Sequence, residues 1–271
     1  MKRKLDSRHW DAVADKVSGP LLQEDVADYY RQAHLEMINT WAGDLKGKKV
    51  LKTDLYEDAF GSQHFLYRLA QQGADVFGMD ISPKMLFRAR QRIAGEGRLF
   101  DRGVACDVLR ASFKDDVFDL IISNSTLDHL SVVEARSALV ELRRVLKPGG
   151  LLILTLDNRH NPFFYYGGYL VQKFFGISKF YLDKCYTLDE ARRLAEESRF
   201  KVEEAAPLIH VYPPWTRILF LLDRVPGRFF KKAVRSFIRA CASLGKKTKF
   251  RTSWFIALKL SKRQEEDTSS C

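Results

Sequence analysis

Val76-Phe77-Gly78-Met79-Asp80-Ile81-Ser82-Pro83 decides how this chain is read. An apolar run ends in one acidic residue, and a helix start follows at once. Ser82 suits the capping position and Pro83 the first helical position. The stretch therefore puts a carboxylate at the carboxyl end of a buried strand, the edge where open α/β sheets bind ligands. An acid there can accept from both hydroxyls of a ribose. A nucleoside-containing cofactor is the functional reading, and a solvated strand-end Asp is the bland one.

Outward from this stretch, strands and helices alternate, as in a mostly parallel sheet. Lys49-Val50-Leu51 opens a strand. Ser62 to Gln72 reads as a helix, Ala74 to Asp80 as a strand and Ser82 to Ile93 as a helix. Gly103 to Cys106 and Phe118 to Ser123 read as strands. Ser131 with Glu134 forms a capping box for a helix to Leu146. A Lys147–Gly150 turn leads into a strand at Leu151 to Leu156. Thr187 with Glu190 caps another helix, and Val202 to Ile209 and Trp254 to Leu260 are the last two strands. Residues 1–46 read as an N-terminal helical lid, 47–263 as the main domain and 264–271 as a frayed tail. Two stretches break the rhythm and read as cap insertions: the aromatic 161–183 and the apolar, basic 212–250.

At 271 residues with 46% hydrophobic content, the chain is long enough for one α/β domain with embellishments. No run approaches the roughly 18–20 apolar residues of a membrane span. No apolar core follows the basic start, and Cys106, Cys185, Cys241 and Cys271 form no metal or redox pair. Reduced thiols in a cytoplasm are the expectation. The histidines show no ligand spacing, so no metal is expected.

The net charge of +11 is uneven, with no acidic residue between Asp223 and Glu265. Such asymmetry implies an anionic partner. Arg228 to Leu244 is a basic amphipathic helix. It suits a peripheral position on an anionic inner-membrane surface, and equally a helix packed on its own domain with its basic face outward. Nucleic acid is the weaker partner, because no RNA-binding module is visible.

The order Asp80, then Asp107 after the third strand, then Phe118-Asp119-Leu120-Ile121-Ile122-Ser123-Asn124 and Leu146-Lys147-Pro148-Gly149-Gly150 resembles the class I S-adenosylmethionine-dependent methyltransferases, particularly their small-molecule branch. The resemblance covers roughly Lys49 to Leu156. It implies a Rossmann-like α/β fold with a mostly parallel seven-stranded sheet and helices on both faces, and S-adenosylmethionine as cofactor. Asp80 would take the ribose hydroxyls, Ile81 would pack on the adenine, and Asp107 would accept from the adenine amino group with Val108 beside it. Asn124 and Ser125 would line the methionine end. For Asp107 a loop-capping role is the alternative.

One segment departs from the family. Its glycine-rich turn is replaced by Lys52-Thr53-Asp54-Leu55-Tyr56-Glu57-Asp58-Ala59-Phe60-Gly61. Asp54, Tyr56 and Asp58 stand in the three glycine positions, and Lys52 replaces an acid. Asp54 and Glu57 offer substitute contacts to the cationic end of the cofactor; an acidic helix start is the alternative. His129 and His210 are the candidate general bases, with Asp128 orienting His129 only if the backbone bends between them. Packing under the cap is the other reading of His129. Asn158 and Asn161 border the ligand edge. His9, His34, His64 and His160 lack supporting context.

The expected reaction is methyl transfer to a small, lipophilic or anionic acceptor. The rivals are an inactive methyltransferase-fold interaction module, an RNA methyltransferase and a nicotinamide-dependent dehydrogenase.

Overall fold

Alternate residues of two central strands face opposite ways, and each set finds its own core. Ile121, Leu152 and Leu154 pack with Leu139 and Leu142, while Leu120, Ile122 and Ile153 pack with Ile38 and Phe65. A sheet buried on both faces needs apolar residues at every position, which explains the continuous apolar runs. The computed structural model describes residues 6–17, 24–61, 65–95, 100–162, 165–170, 174, 184–210 and 228–262.

The elements are α1 (Ser7–Lys16), α2 (Glu24–Ala42), β1 (Lys49–Lys52), α3 (Tyr56–Phe60), α4 (Phe65–Gln71), β2 (Asp75–Asp80), α5 (Pro83–Gly95), β3 (Gly103–Ala105), β4 (Phe118–Asn124), α6 (Val132–Val145), β5 (Leu146–Asp157), α7 (Leu188–Glu197), β6 (Phe200–Leu208), α8 (Arg228–Thr248) and β7 (Phe255–Lys262). The seven strands lie in the order β3-β2-β1-β4-β5-β7-β6. β7 runs antiparallel to both neighbours; the pairs from β3 to β5 are parallel. The strand order reverses between β1 and β4, so their carboxyl ends open the crevice where such sheets take ligands.

Local chemistry sets the helix starts. Both capping boxes form: Ser131 with Glu134 opens α6, and Thr187 with Glu190 opens α7. Lys147 to Gly150 is an outward excursion within β5, and Gly149 takes φ +73° there. The expected helix at 62–72 is described only as Phe65–Gln71, and 62–64 lie outside the described residues.

Of the two readings of the basic helix, packing is the one whose contacts are visible. Val234 and Ile238 of α8 are buried against Val26 of α2, with Phe237 and Cys241 beside them. Lys232, Arg235, Arg239, Lys246 and Lys247 are exposed, as is Leu244. Arg235 pairs with Asp25 of α2 at 2.9 Å. In the aromatic insertion, Tyr165 stacks on Tyr169 at 5.5 Å, and both pack toward Trp254, while Tyr166 and Phe174 face outward. Its other aromatics, and 211–227, lie outside the described residues. No helix among the described residues is long and apolar enough to cross a membrane.

Candidate cofactor and acceptor site

The loop after β1 folds inward, around a cation. Lys52 is fully buried at the end of β1. Its Nζ donates to the Asp54 carbonyl at 2.5 Å and lies 3.2 Å from the Asp54 carboxylate and 3.3 Å from that of Asp58. The Asp58 carboxylate also accepts from the Leu66 N–H at 2.8 Å. Burial alone would push the Lys52 ammonium toward neutrality, but Asp54, Asp58 and Glu57 outweigh it and raise the group above its ordinary value. The residues that replaced the glycines therefore compensate the residue that replaced the acid. The acidic-helix-start reading also holds, since α3 carries Glu57 and Asp58 in its first turn.

Asp80 is 8% exposed and ties this loop to the next helix. One carboxylate oxygen accepts from the Leu55 N–H at 3.0 Å and the other from the Ser82 N–H at 2.8 Å. Gly78 makes the approach possible: a Cβ there would come within 2.8 Å of the Leu55 side chain. Each Asp80 oxygen keeps a second lone pair for a ligand hydroxyl. Burial pushes the Asp80 carboxyl up to about 7, against the two backbone donors.

The other expected cofactor residues line the same edge. Ile81 follows Asp80 and is half-buried; Val108 is buried. Asp107 accepts from the Leu109 N–H at 3.0 Å, the loop-capping bond, through Oδ1. Asn124 is 4% exposed, and neither end of its amide has a partner. Ser125 follows with φ +46° and a buried Oγ beside the Asp128 carboxyl. A buried amide with four unused hydrogen-bonding positions at a strand end is the kind of group a polar ligand satisfies. Together with Asp80, it fits a nucleoside cofactor bearing an amino-acid end.

α1 closes over this edge. Asp11 accepts from the Ser82 hydroxyl at 2.5 Å and from the Lys84 N–H at 3.2 Å. The Trp10 ring meets the His129 ring edge-on at 4.7 Å. Thus His129 packs under the first helix, not under the inserted cap. The Asp128 carboxylate turns away to accept from the Asp157 N–H at 2.9 Å.

Three expected residues are engaged elsewhere. His210 contacts the Thr252 hydroxyl at 3.0 Å, and its ring leaves no room for a Cβ at Gly245 of α8; burial lowers its pKa. The Asn158 amide donates to Phe250 and Ser253, and its carbonyl accepts from the His160 N–H. Asn161 likewise donates to Thr252 and Ser253. The asparagines fasten the β5 end to the segment before β7.

Sequence reasoning missed a deeper group. The Tyr30 hydroxyl is raised by burial and then by the negative charge of Glu57, Asp54, Asp157 and Asp128. Beside it His34 is fully buried, its Nδ1 directed back to the Tyr30 carbonyl at 2.8 Å and its Nε2 without a partner. Burial holds the His34 pKa down at about 4. Burial also raises Glu57 and Asp157 to about 7 each, and Asp128 well above the carboxylate range.

These shifts give the ligand-free protein a definite pH dependence. A carboxyl whose folded pKa lies above its unfolded value near 4 contributes stability at low pH that is lost as pH rises through about 7. Lys52 and Arg31 oppose the Glu57 shift without cancelling it. His34 works the other way below about 6.5, so thermal melting between pH 6.5 and 8.5 should show Tm falling as pH rises. A Tm that rises across that window would contradict the burial of these acids.

Residues 57–154 match a family model described as a methyltransferase domain. The match begins just past Lys52 to Tyr56, the part of the loop that departs most. The chain is 42% identical over 86 residues to a demethylmenaquinone methyltransferase of Clavibacter sepedonicus, which is 32% of this chain and 34% of the relative. It is 36% identical over 102 residues to an uncharacterized methyltransferase of Synechocystis, 38% of this chain and 44% of the relative. The chain thus spans between a third and a half of the length of these relatives. The structure of magnesium protoporphyrin IX methyltransferase from Synechocystis with bound S-adenosylhomocysteine has the same fold, with a TM-score of 0.57, 17% identity and coverage of 94% of this chain and 93% of that one. Residues 57–154 thus carry a methyltransferase domain, and the described sheet has the fold of the class I S-adenosylmethionine-dependent methyltransferases.

Proposed function

We propose that the protein transfers a methyl group from S-adenosylmethionine to a small-molecule acceptor, using a rebuilt cofactor loop. The supporting observation is the pairing of Asp80, buried yet with acceptor capacity left, and Asn124, buried with its whole amide unused. Asp80 takes the ribose hydroxyls, Ile81 and Val108 flank the adenine, and Asp107 accepts from its amino group. Asn124 and Ser125 hold the methionine end. Asp54 and Glu57 face its α-ammonium, the part that the missing glycines would otherwise approach with backbone. Bound S-adenosylmethionine supplies a methyl group already activated on a sulfonium. The chain then has to align the acceptor and exclude water. Residues 1–46 act as a lid through Trp10 and Asp11, and His129 belongs to the acceptor wall beneath it.

Calorimetric titration with S-adenosylhomocysteine tests this reading. Saturable binding with micromolar or tighter affinity is the expected result. Absence of heat at high protein concentration would leave the inactive interaction module standing.

The relatives' names span quinone and porphyrin methylation, and the chain is proposed to share only their small-molecule class. Its outward basic residues on α8 support peripheral contact with an anionic membrane surface. In co-sedimentation with phosphatidylglycerol vesicles, the Lys232→Glu/Arg239→Glu protein should pellet less than wild type. Equal pelleting by the two would count against α8 as the contact.

A further inference from the structure

The carboxyl edge of the sheet holds more negative charge than the cofactor can use. The charge of Asp54, Glu57, Asp128 and Asp157 reaches the Tyr30 hydroxyl, and Lys52 is the buried counter-ion of the first two and of Asp58. Lys52 binds Asp54 directly, and the cofactor ammonium faces the same loop. Asp128 and Asp157 remain, one after β4 and one at the end of β5. They are 0% and 2% exposed and are tied together through the Asp157 N–H. Two buried carboxyls side by side hold their protons, and ionise readily only where something cationic satisfies them.

Independent observations point the same way. His34 Nε2 is buried without a partner, and it faces away from its own helix because Nδ1 is turned back onto it. This edge also has an aromatic wall. The Tyr30 and Trp254 rings lie 6.4 Å apart at 72°, forming a corner. The Trp254 indole N–H donates to the Asp157 carboxyl, joining wall to acid. Aromatic faces and desolvated carboxylates together are the surroundings that a cationic nitrogen prefers.

We infer that the acceptor is an amine that binds as a cation, its nitrogen held between the Asp128–Asp157 carboxyl pair and the Tyr30–Trp254 corner; this rests on the methyl-transfer reading above. An anionic acceptor would meet like charge at this position. For a primary or secondary amine, a carboxylate of the pair takes one N–H proton, and the freed lone pair forms the N–CH3 bond. The methyl–sulfur bond breaks, and its electron pair stays on sulfur as a neutral thioether. The product nitrogen again carries the positive charge.

The test uses choline and its neutral isostere 3,3-dimethylbutan-1-ol, each titrated into the full chain saturated with S-adenosylhomocysteine. Choline should bind about tenfold or more tightly than the alcohol, because only the charge differs. Asp157→Asn and Tyr30→Leu should each weaken choline binding about fivefold or more, with S-adenosylhomocysteine affinity held within about twofold. Equal binding of the isosteres, or no choline binding by a protein that binds S-adenosylhomocysteine, overturns the inference and leaves the methyl-transfer reading intact. Failure to bind S-adenosylhomocysteine overturns both. The wild-type comparison of isosteres decides the matter even if a variant does not fold.

Discussion

Lys52→Met is expected to destabilise the protein by about 3–5 kcal/mol, because it strands buried carboxylates without their counter-ion. Asp58 is 0% exposed, with Lys52 3.3 Å away and one backbone donor from Leu66. Methionine matches the length of the lysine stem, so packing against Phe65 is largely kept and the loss is electrostatic. In a domain of this size that loss corresponds to a fall in Tm of roughly 10 °C, measurable by scanning calorimetry. Lys52→Met/Asp58→Asn should recover most of it, since the pair is then removed together. A single variant that melts within about 2 °C of wild type would show that the ion cluster is not a stability element.

The second large effect concerns the cofactor. Asp80→Ala should lower affinity for S-adenosylhomocysteine by about 100-fold, from two charge-assisted bonds worth roughly 1.5 kcal/mol or more each. Asp80→Asn, which keeps one acceptor, should cost about tenfold. Asp80 also holds the Leu55 and Ser82 N–H groups, so melting of the ligand-free variants is the needed control. Affinity within about twofold of wild type in Asp80→Asn would remove Asp80 from the cofactor site. Because Asp80 is pushed up to about 7, wild-type affinity should also improve as pH rises through neutrality. That trend runs opposite to the ligand-free stability, so a bound cation should flatten the pH dependence of Tm.

The fold was legible because its signals are local. Val76 to Pro83 carries strand, acid and helix start within eight residues, and both capping boxes lie within four. The alternation pointed to a mostly parallel sheet but not to its strand order, and all seven expected strands are present. The site was legible only where a strand end names it, as with Asp80 and Asn124. Asp157 carries the same signal, an acid directly after the apolar Leu151 to Leu156, and could have been found by the logic that found Asp80. Tyr30, His34 and Trp254 could not, because helix α2 and the segment before β7 reach the site only through tertiary packing. The histidines went against their sequence context: His34, which had none, lies against Tyr30, while His210, a candidate base, is held in the seam between β6 and α8. The Lys52 cluster was visible as composition but not as compensation. Charge signs can be read from sequence, whereas their burial within 3.3 Å cannot.

The Lys52 cluster also constrains how such a loop arises and changes. Restoring glycine at Asp54 or Asp58 alone would take an anion from a buried lysine, and restoring an acid at Lys52 alone would crowd three carboxylates together. Each single reversion is worse than either end state, so these positions are coupled rather than additive. Ancestors and descendants of this loop are therefore separated by a fitness valley, and its charges should come and go as a set. Homologues should carry either the glycines with the acid or the acids with the lysine, and mixtures should be rare.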